Sequence, residues 1–162
     1  MRAVFIAAIV VLFFGCVKKE SEVKKIKYEL LSYTKNAEFI EGDLRVFAVG
    51  TYLNPAYAKF ANSGLEWFIL SSYPLNEAIK LDSIKINGKK ATAKKLDEKD
   101  PLIKLLPIQI PWANYYEITT ESVESKILTL SYETDHLKEV KLDFVKVPRS
   151  MYWTPLIEFP NK

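Results

Sequence analysis

The fold class is decided by residues 128–144, which read LTLSYETDHLKEVKLDF. A hairpin loop at 135–137 would pair apolar residues on one face: Leu128 with Phe144, Leu130 with Leu142 and Tyr132 with Val140. The other face then carries only polar residues: Thr129, Ser131, Glu133, Glu139, Lys141 and Asp143. Because side chains alternate along a strand, a slip of one residue would destroy this pattern. The stretch therefore predicts two amphipathic antiparallel strands packed against a second layer.

Further strand patterns lie upstream of this hairpin. Lys25–Thr34 alternates apolar and polar residues, which predicts a strand exposed on one face. Arg45–Leu53 and Glu66–Tyr73 are apolar at nearly every position, as in strands that are buried on both faces. Asn87-Gly88 predicts a two-residue hairpin turn, because both residues tolerate positive φ. Tyr115–Thr119 predicts another short strand.

Helical signals are fewer. Asn54-Pro55 and Gly64 delimit a short helix predicted over Pro55–Asn62. Three prolines in Asp100–Trp112 exclude a central strand and predict an irregular crossover. We therefore expect a single mainly-β domain over 25–162, an antiparallel β-sandwich of immunoglobulin-like arrangement with one short helix at most.

Composition narrows the functional classes. The chain of 162 residues has 23 basic and 20 acidic side chains, a balance too even for a nucleic-acid-binding protein. It contains one Cys and one His, so we expect no disulfide, no metal site and no cofactor. A chain of this size buries enough surface to fold without such crosslinks.

The N-terminus carries a targeting pattern. Arg2 precedes twelve apolar residues, Ala3–Phe14, and Gly15-Cys16 follows them. An apolar core of this length is typical of a signal peptide, since a membrane-spanning helix needs about 20 residues. The segment, which ends in Phe13-Phe14-Gly15-Cys16, resembles the signal and lipobox of bacterial lipoproteins. An uncleaved signal anchor and an ordinary packed Cys are the alternatives.

The resemblance implies cleavage after Gly15 and acylation of Cys16, which would anchor the chain to a membrane. Residues 1–15 would then be a signal peptide and residues 16–24 a lipidated tether. We expect the protein in the bacterial cell envelope. Val17 after the Cys favours the outer membrane, facing the periplasm, if the source follows the enterobacterial sorting rule.

Candidate catalytic and metal-ligating groups are isolated in the sequence. His136 is the sole His and is expected to be a solvated loop residue, because no nucleophile elbow or second His accompanies it. Asp97, Glu98 and Asp100 lack the spacing of a calcium loop, and Asp100 is predicted to cap a helical turn. We therefore expect no enzyme. Activity through carboxylates such as Glu117 or Asp143 is the weakest alternative.

Aromatic residues supply the remaining functional signal. Trp67 and Phe68 belong to a strand buried on both faces and are predicted to be core residues. Four others lie in proline-rich or short segments and form a candidate surface for a ligand or partner: Trp112, Tyr115, Tyr152 and Trp153. The alternative is that these aromatics plug the open ends of the sandwich.

The two strands without polar faces raise a related question. A sandwich has one inner face per sheet, so their outer sides need a cover or form an exposed patch. Asp100–Trp112 or Pro148–Lys162 would supply the cover. The leading hypothesis is thus a membrane-anchored lipoprotein with a non-catalytic role, binding an envelope protein or giving structural support. A module that binds a carbohydrate or peptide is the alternative.

Overall fold

Nine strands form two antiparallel sheets within residues 24–137 and 139–146, the part of the chain that the computed structural model describes. In chain order the strands are β1 (Thr34–Glu41), β2 (Leu44–Tyr52), β3 (Leu65–Tyr73), β4 (Lys85–Ile86), β5 (Lys89–Lys90), β6 (Thr92–Lys95), β7 (Asn114–Glu121), β8 (Ile127–Tyr132) and β9 (Val140–Val145). The five-stranded sheet has the order β1-β2-β3-β7-β6, and the four-stranded sheet has the order β5-β4-β8-β9.

The strand order is that of an immunoglobulin-like sandwich. Without β1, the first sheet reads β2-β3-β7-β6 and corresponds to strands A-B-E-D of that fold. The second sheet, β5-β4-β8-β9, corresponds to C′-C-F-G. β1 is an additional strand that pairs with the outer edge of β2. The predicted β-sandwich is therefore confirmed.

The hairpin of β8 and β9 has the predicted register, and the turn predicted at Asn87-Gly88 is present. β8 and β9 pair Leu128 with Phe144, Leu130 with Leu142 and Tyr132 with Val140, and all six side chains are buried. β4 and β5 flank Asn87-Gly88, whose φ angles are 49° and 79°. Positive φ at both central residues is the geometry that matches the twist of a two-residue hairpin.

The main core lies between the two sheets. Its members alternate along their strands, as expected for inward-facing side chains. From the first sheet it includes Ala48, Tyr52, Phe68, Leu70, Tyr116 and Ile118, and from the second Ile86, Leu128, Leu130, Tyr132, Val140, Leu142 and Phe144, joined by Ile84 just before β4.

The prediction of a strand over Lys25–Thr34 is wrong, because most of this segment is helical. Residues 24–31 form helix α1, and β1 begins only at Thr34. Leu30 is fully buried and Ile26 packs against the same cluster, whereas Tyr28 between them is exposed. Residues four apart share a face in a helix as well as in a strand, so the alternation was ambiguous. The helix also begins one residue inside the predicted tether.

A helical layer covers the outer face of the five-stranded sheet. Besides α1, the described chain contains α2 (Ala58–Ala61), α3 (Pro101–Leu105) and a 3₁₀ turn (Leu81–Ser83), more helix than the single one expected. α1, α2 and α3 contribute to an outer cluster of buried residues: Leu30, Leu53, Phe60, Ile69, Leu96, Ile103, Leu106, Ala113 and Tyr115. The crossover Asp100–Trp112 therefore covers the outer face of the five-stranded sheet, as one of the two alternatives predicted. Ile69 of β3 is buried beneath this cover, so no open docking surface remains there. The predicted tail cover, Pro148–Lys162, lies outside the described residues.

Candidate functional site

Four connections meet at one end of the sandwich, which we call the loop end: residues 42–43, 74–84, 96–113 and 133–137. Ile79 and Thr134 form an isolated bridge, and the Lys80 amide donates to the Glu133 carbonyl at 3.0 Å. The Asn114 side-chain amide donates to the Leu75 carbonyl at 2.9 Å. The connections that precede β4 and β9 are therefore bonded to each other, and the connection that precedes β4 is also bonded to the start of β7.

A groove of about 660 Å³ opens at the loop end, between the β1–β2 turn and the segment after β3. Its lining includes two aromatic rings, an amide and three charged groups: Phe47, Tyr73, Asn76, Glu38, Asp43 and Arg45. The Arg45 guanidinium is paired with the Glu38 carboxylate. Tyr73 is 41% exposed and is thus accessible at the rim of the groove. The lining therefore combines aromatic side chains with polar and charged groups.

The lone His lies at the loop end and has a buried partner. Glu77 is 1% exposed, and its carboxylate contacts His136 Nδ1 at 2.6 Å and accepts from the His136 amide at 3.1 Å. Burial raises the pKa of Glu77, but hydrogen bonds from Thr134 and His136 outweigh it and leave that pKa below its usual value. The His136 side chain remains largely exposed, as expected, while its ring links 133–137 to 74–84.

A second buried carboxylate lies near the opposite end of the sandwich. Glu66 is 2% exposed, and it accepts hydrogen bonds from the Tyr52 hydroxyl at 2.5 Å and from Ser122 Oγ and the Val123 amide, each at 3.2 Å. Lys146 Nζ also contacts it. Burial raises the pKa of Glu66, but the hydrogen bonds from these donors lower it by a larger amount. The pKa of Glu66 therefore lies below its usual value. This network joins β3 to β2, to the connection between β7 and β8, and to Lys146, which follows β9.

The structure separates the predicted aromatic residues. Tyr115 is 7% exposed and belongs to the outer cluster, where its hydroxyl donates to the Ile110 carbonyl at 2.9 Å and accepts from the Ile110 amide at 2.8 Å. Trp112 is 77% exposed, and its φ of 57° is rare for a bulky residue. The two residues therefore do not form one surface. Tyr152 and Trp153 lie outside the described residues, as does Cys16.

The other aromatic and acidic residues singled out in the sequence lie in separate parts of the fold. Phe68 is in the main core, and Trp67 packs against the outer cluster. Asp100 caps α3 as predicted, accepting from the Leu102 amide at 2.9 Å. Glu117 pairs with Lys94 at 2.8 Å on the first sheet, whereas Asp143 accepts from Thr129 at 2.6 Å on the second. These two carboxylates do not face each other across a pocket.

The sequence does not predict the groove at the loop end. Tyr73 reads as the end of an apolar strand, and Phe47 is one apolar residue in a run of them. Their exposure follows from position: the helical layer covers the middle of the sheet and leaves its loop-end margin open. No signal in the sequence distinguishes these two positions from their buried neighbours.

Comparison with protein-family models, curated proteins and solved structures finds no significant match to this chain. Among the described residues, no group of His, Cys, Asp and Glu side chains is arranged to hold a metal ion. None of the described helices is both long enough and apolar enough to cross a membrane.

Proposed function

We propose that the protein is a lipid-anchored component of the bacterial cell envelope and that its sandwich acts by binding rather than by catalysis. The observation that carries the proposal is the position of Cys16, the sole Cys, directly after the apolar core and Gly15. A thiol at that boundary is what lipid attachment requires, whereas a packed core Cys would have no reason to lie there.

The short connection between anchor and domain supports this arrangement. Eight residue steps separate Cys16 from the start of α1 at residue 24, so the tether reaches at most about 28 Å. An eight-residue strand such as β1 is about 26 Å long. The domain is therefore held within about one domain length of the bilayer. β1 begins at the end of the sandwich opposite the loop end, where the groove lies.

Lipid attachment is tested by metabolic labelling with palmitate and by mass spectrometry of the N-terminal peptide. We expect a mature chain that starts at Cys16 and carries lipid, with Cys16→Ser as the unlabelled control. A mature chain that starts elsewhere, or an unmodified Cys16, contradicts the proposal.

The binding role is tested by a photo-crosslinking residue placed in the groove. Substitution at Asn76 should give a reproducible product with one envelope protein, and the matched position Lys90 on β5, exposed but outside the groove, should not. Tyr73→Ala should abolish the product. Equal yields from Asn76 and Lys90 would argue against a specific partner at this site.

The groove lining also favours a second candidate, a module that binds a saccharide or an extended peptide. Tyr73 and Phe47 offer ring faces, and Asn76 offers a donor and an acceptor. Binding would be measured by NMR shifts on titration with saccharide and peptide libraries. Tyr73→Ala should weaken binding about tenfold or more, by loss of roughly 1.4 kcal/mol or more. Loss with Trp112→Ala but not with Tyr73→Ala would place the site elsewhere.

A further inference from the structure

β1 is the longest edge strand of the described sheets. It has eight residues, compared with six in β9, four in β6 and two in β5. Edge strands expose unpaired peptide groups, and proteins usually defend them with short length or with lysine. β5 and β6 follow this rule, since they are short and carry Lys89, Lys90, Lys94 and Lys95.

The outward peptide groups of β1 follow from its pairing with β2. The Tyr52 amide donates to the Tyr33 carbonyl at 3.0 Å, which makes this pair hydrogen-bonded. Hydrogen-bonded pairs alternate along an antiparallel ladder, so Lys35, Ala37 and Phe39 bond to β2. The amides and carbonyls of Asn36, Glu38 and Ile40 therefore point away from the sheet, and no further strand of the described chain pairs with them.

β1 carries three charged residues, Lys35, Glu38 and Glu41, and the peptide groups of Lys35 and Glu41 face β2. Asn36, Glu38 and Ile40 are exposed, and Ile40 is 70% exposed. Glu38 is the one charged residue of this outward-facing row, and its carboxylate is paired with Arg45 of β2.

We propose that β1 binds the β1 strand of a second copy of this chain, in antiparallel orientation about a two-fold axis. Residues whose peptide groups point away from the sheet must pair with residues of the same kind in the second copy, so only a few registers are possible. The register that pairs Asn36 with Glu38 and Thr34 with Ile40 uses residues 34–40 and opposes no like charges. If the two-fold axis lay at Glu38 instead of Ala37, Glu38 would be opposite Glu38. If it lay at Asn36, the ladder would be shortened to residues 34–38.

In this register Ala37 lies on the two-fold axis, opposite Ala37 of the second copy. The pair is not hydrogen-bonded, so its Cα atoms would be about 4.5 Å apart, within the range that a disulfide bridges. Lys35 lies opposite Phe39, which places the two Lys35 residues about 14 Å apart along the ladder. The register therefore predicts which single cysteine can crosslink to itself.

The test is disulfide crosslinking of the full chain in its native membranes under mild oxidation. We expect Ala37→Cys to give a product of twice the chain mass, and Lys35→Cys and the parent chain, with Cys16 alone, to give none. Circular dichroism of the reduced variants shows whether each is folded. Failure of folded Ala37→Cys to crosslink, or a product with a different protein, would overturn the proposal.

A matched pair of substitutions tests the register. Asn36→Glu in the Ala37→Cys chain places a carboxylate opposite Glu38 at two symmetric sites, and should reduce the crosslink about fivefold. Asn36→Gln keeps a neutral amide and should leave the yield unchanged. Equal yields from the two variants would refute this register. The inference extends the proposed binding role but does not depend on lipidation, which palmitate labelling scores separately.

Discussion

The buried carboxylate of Glu77 holds His136, 59 positions away in the sequence, through both its backbone amide and its ring. The two residues join the loop that follows β3 to the loop that precedes β9. Hydrogen bonds to a charged group are stronger than neutral ones, and Glu77 is almost fully buried. The pair therefore stabilises one wall of the loop end.

Replacing Glu77 tests this contribution. Glu77→Ala leaves the His136 amide and the Thr134 hydroxyl without this acceptor, so the free energy of unfolding should fall by roughly 1–3 kcal/mol. Urea unfolding measures the change. Glu139→Ala, an exposed site, is the control and should change stability by less than about 0.5 kcal/mol. Equal losses in the two variants would contradict a structural role for Glu77.

Stability should also fall on acidification. The folded-state pKa values of Glu66 and Glu77 lie below the ordinary 4.5, so both carboxylates contribute stability above about pH 4.5. As the pH falls through their folded-state pKa values, both become protonated and the contribution is lost. The midpoint of acid unfolding, followed by circular dichroism, should move to higher pH in Lys146→Met, which removes a donor to Glu66. An unchanged midpoint would show that this contact does not lower the Glu66 pKa.

Gly50 is predicted to tolerate no side chain. A Cβ atom there would lie 2.7 Å from the ring tip of Phe144 and 3.0 Å from a Leu142 methyl group, both in the main core. Gly50→Ala should therefore cost about 1–3 kcal/mol through overpacking, measured by thermal or urea unfolding. Phe144→Leu in the same chain should recover part of the loss if the ring is the cause. If Phe144→Leu does not restore stability, the loss in Gly50→Ala comes from the backbone rather than from the Phe144 ring.

Tyr115 and Trp112 should differ in their effects, although the sequence grouped them. Tyr115→Phe removes both hydrogen bonds to Ile110 from a buried position and should cost about 1–2 kcal/mol. Trp112→Asn should cost nothing, because the indole is exposed and Asn tolerates the positive φ at this position. Chemical unfolding of both variants measures this contrast. A large loss in Trp112→Asn would mean that the indole packs in the folded domain.

Sequence by itself determined those features whose physical cause is local. Side chains alternate with period two along a strand, so the apolar face of 128–144 admits a single register. Asn87-Gly88 accepts positive φ at both positions, and Asp100 before Pro101 supplies a cap where a helix lacks partners for its first amides. These features needed no knowledge of the rest of the chain.

Tertiary structure alone decided what depends on distant neighbours. Residues 24–31 carry a pattern that fits a helix or a strand, and the outer face of the sheet selects the helix because Leu30 and Ile26 bury together there. Tyr115 is buried because it packs in the outer cluster with residues as distant as Leu30, while Tyr73 is exposed because the helical layer stops short of it. Contacts with other parts of the chain, rather than the type of residue, decide which aromatic side chains lie in the groove and which lie in the core.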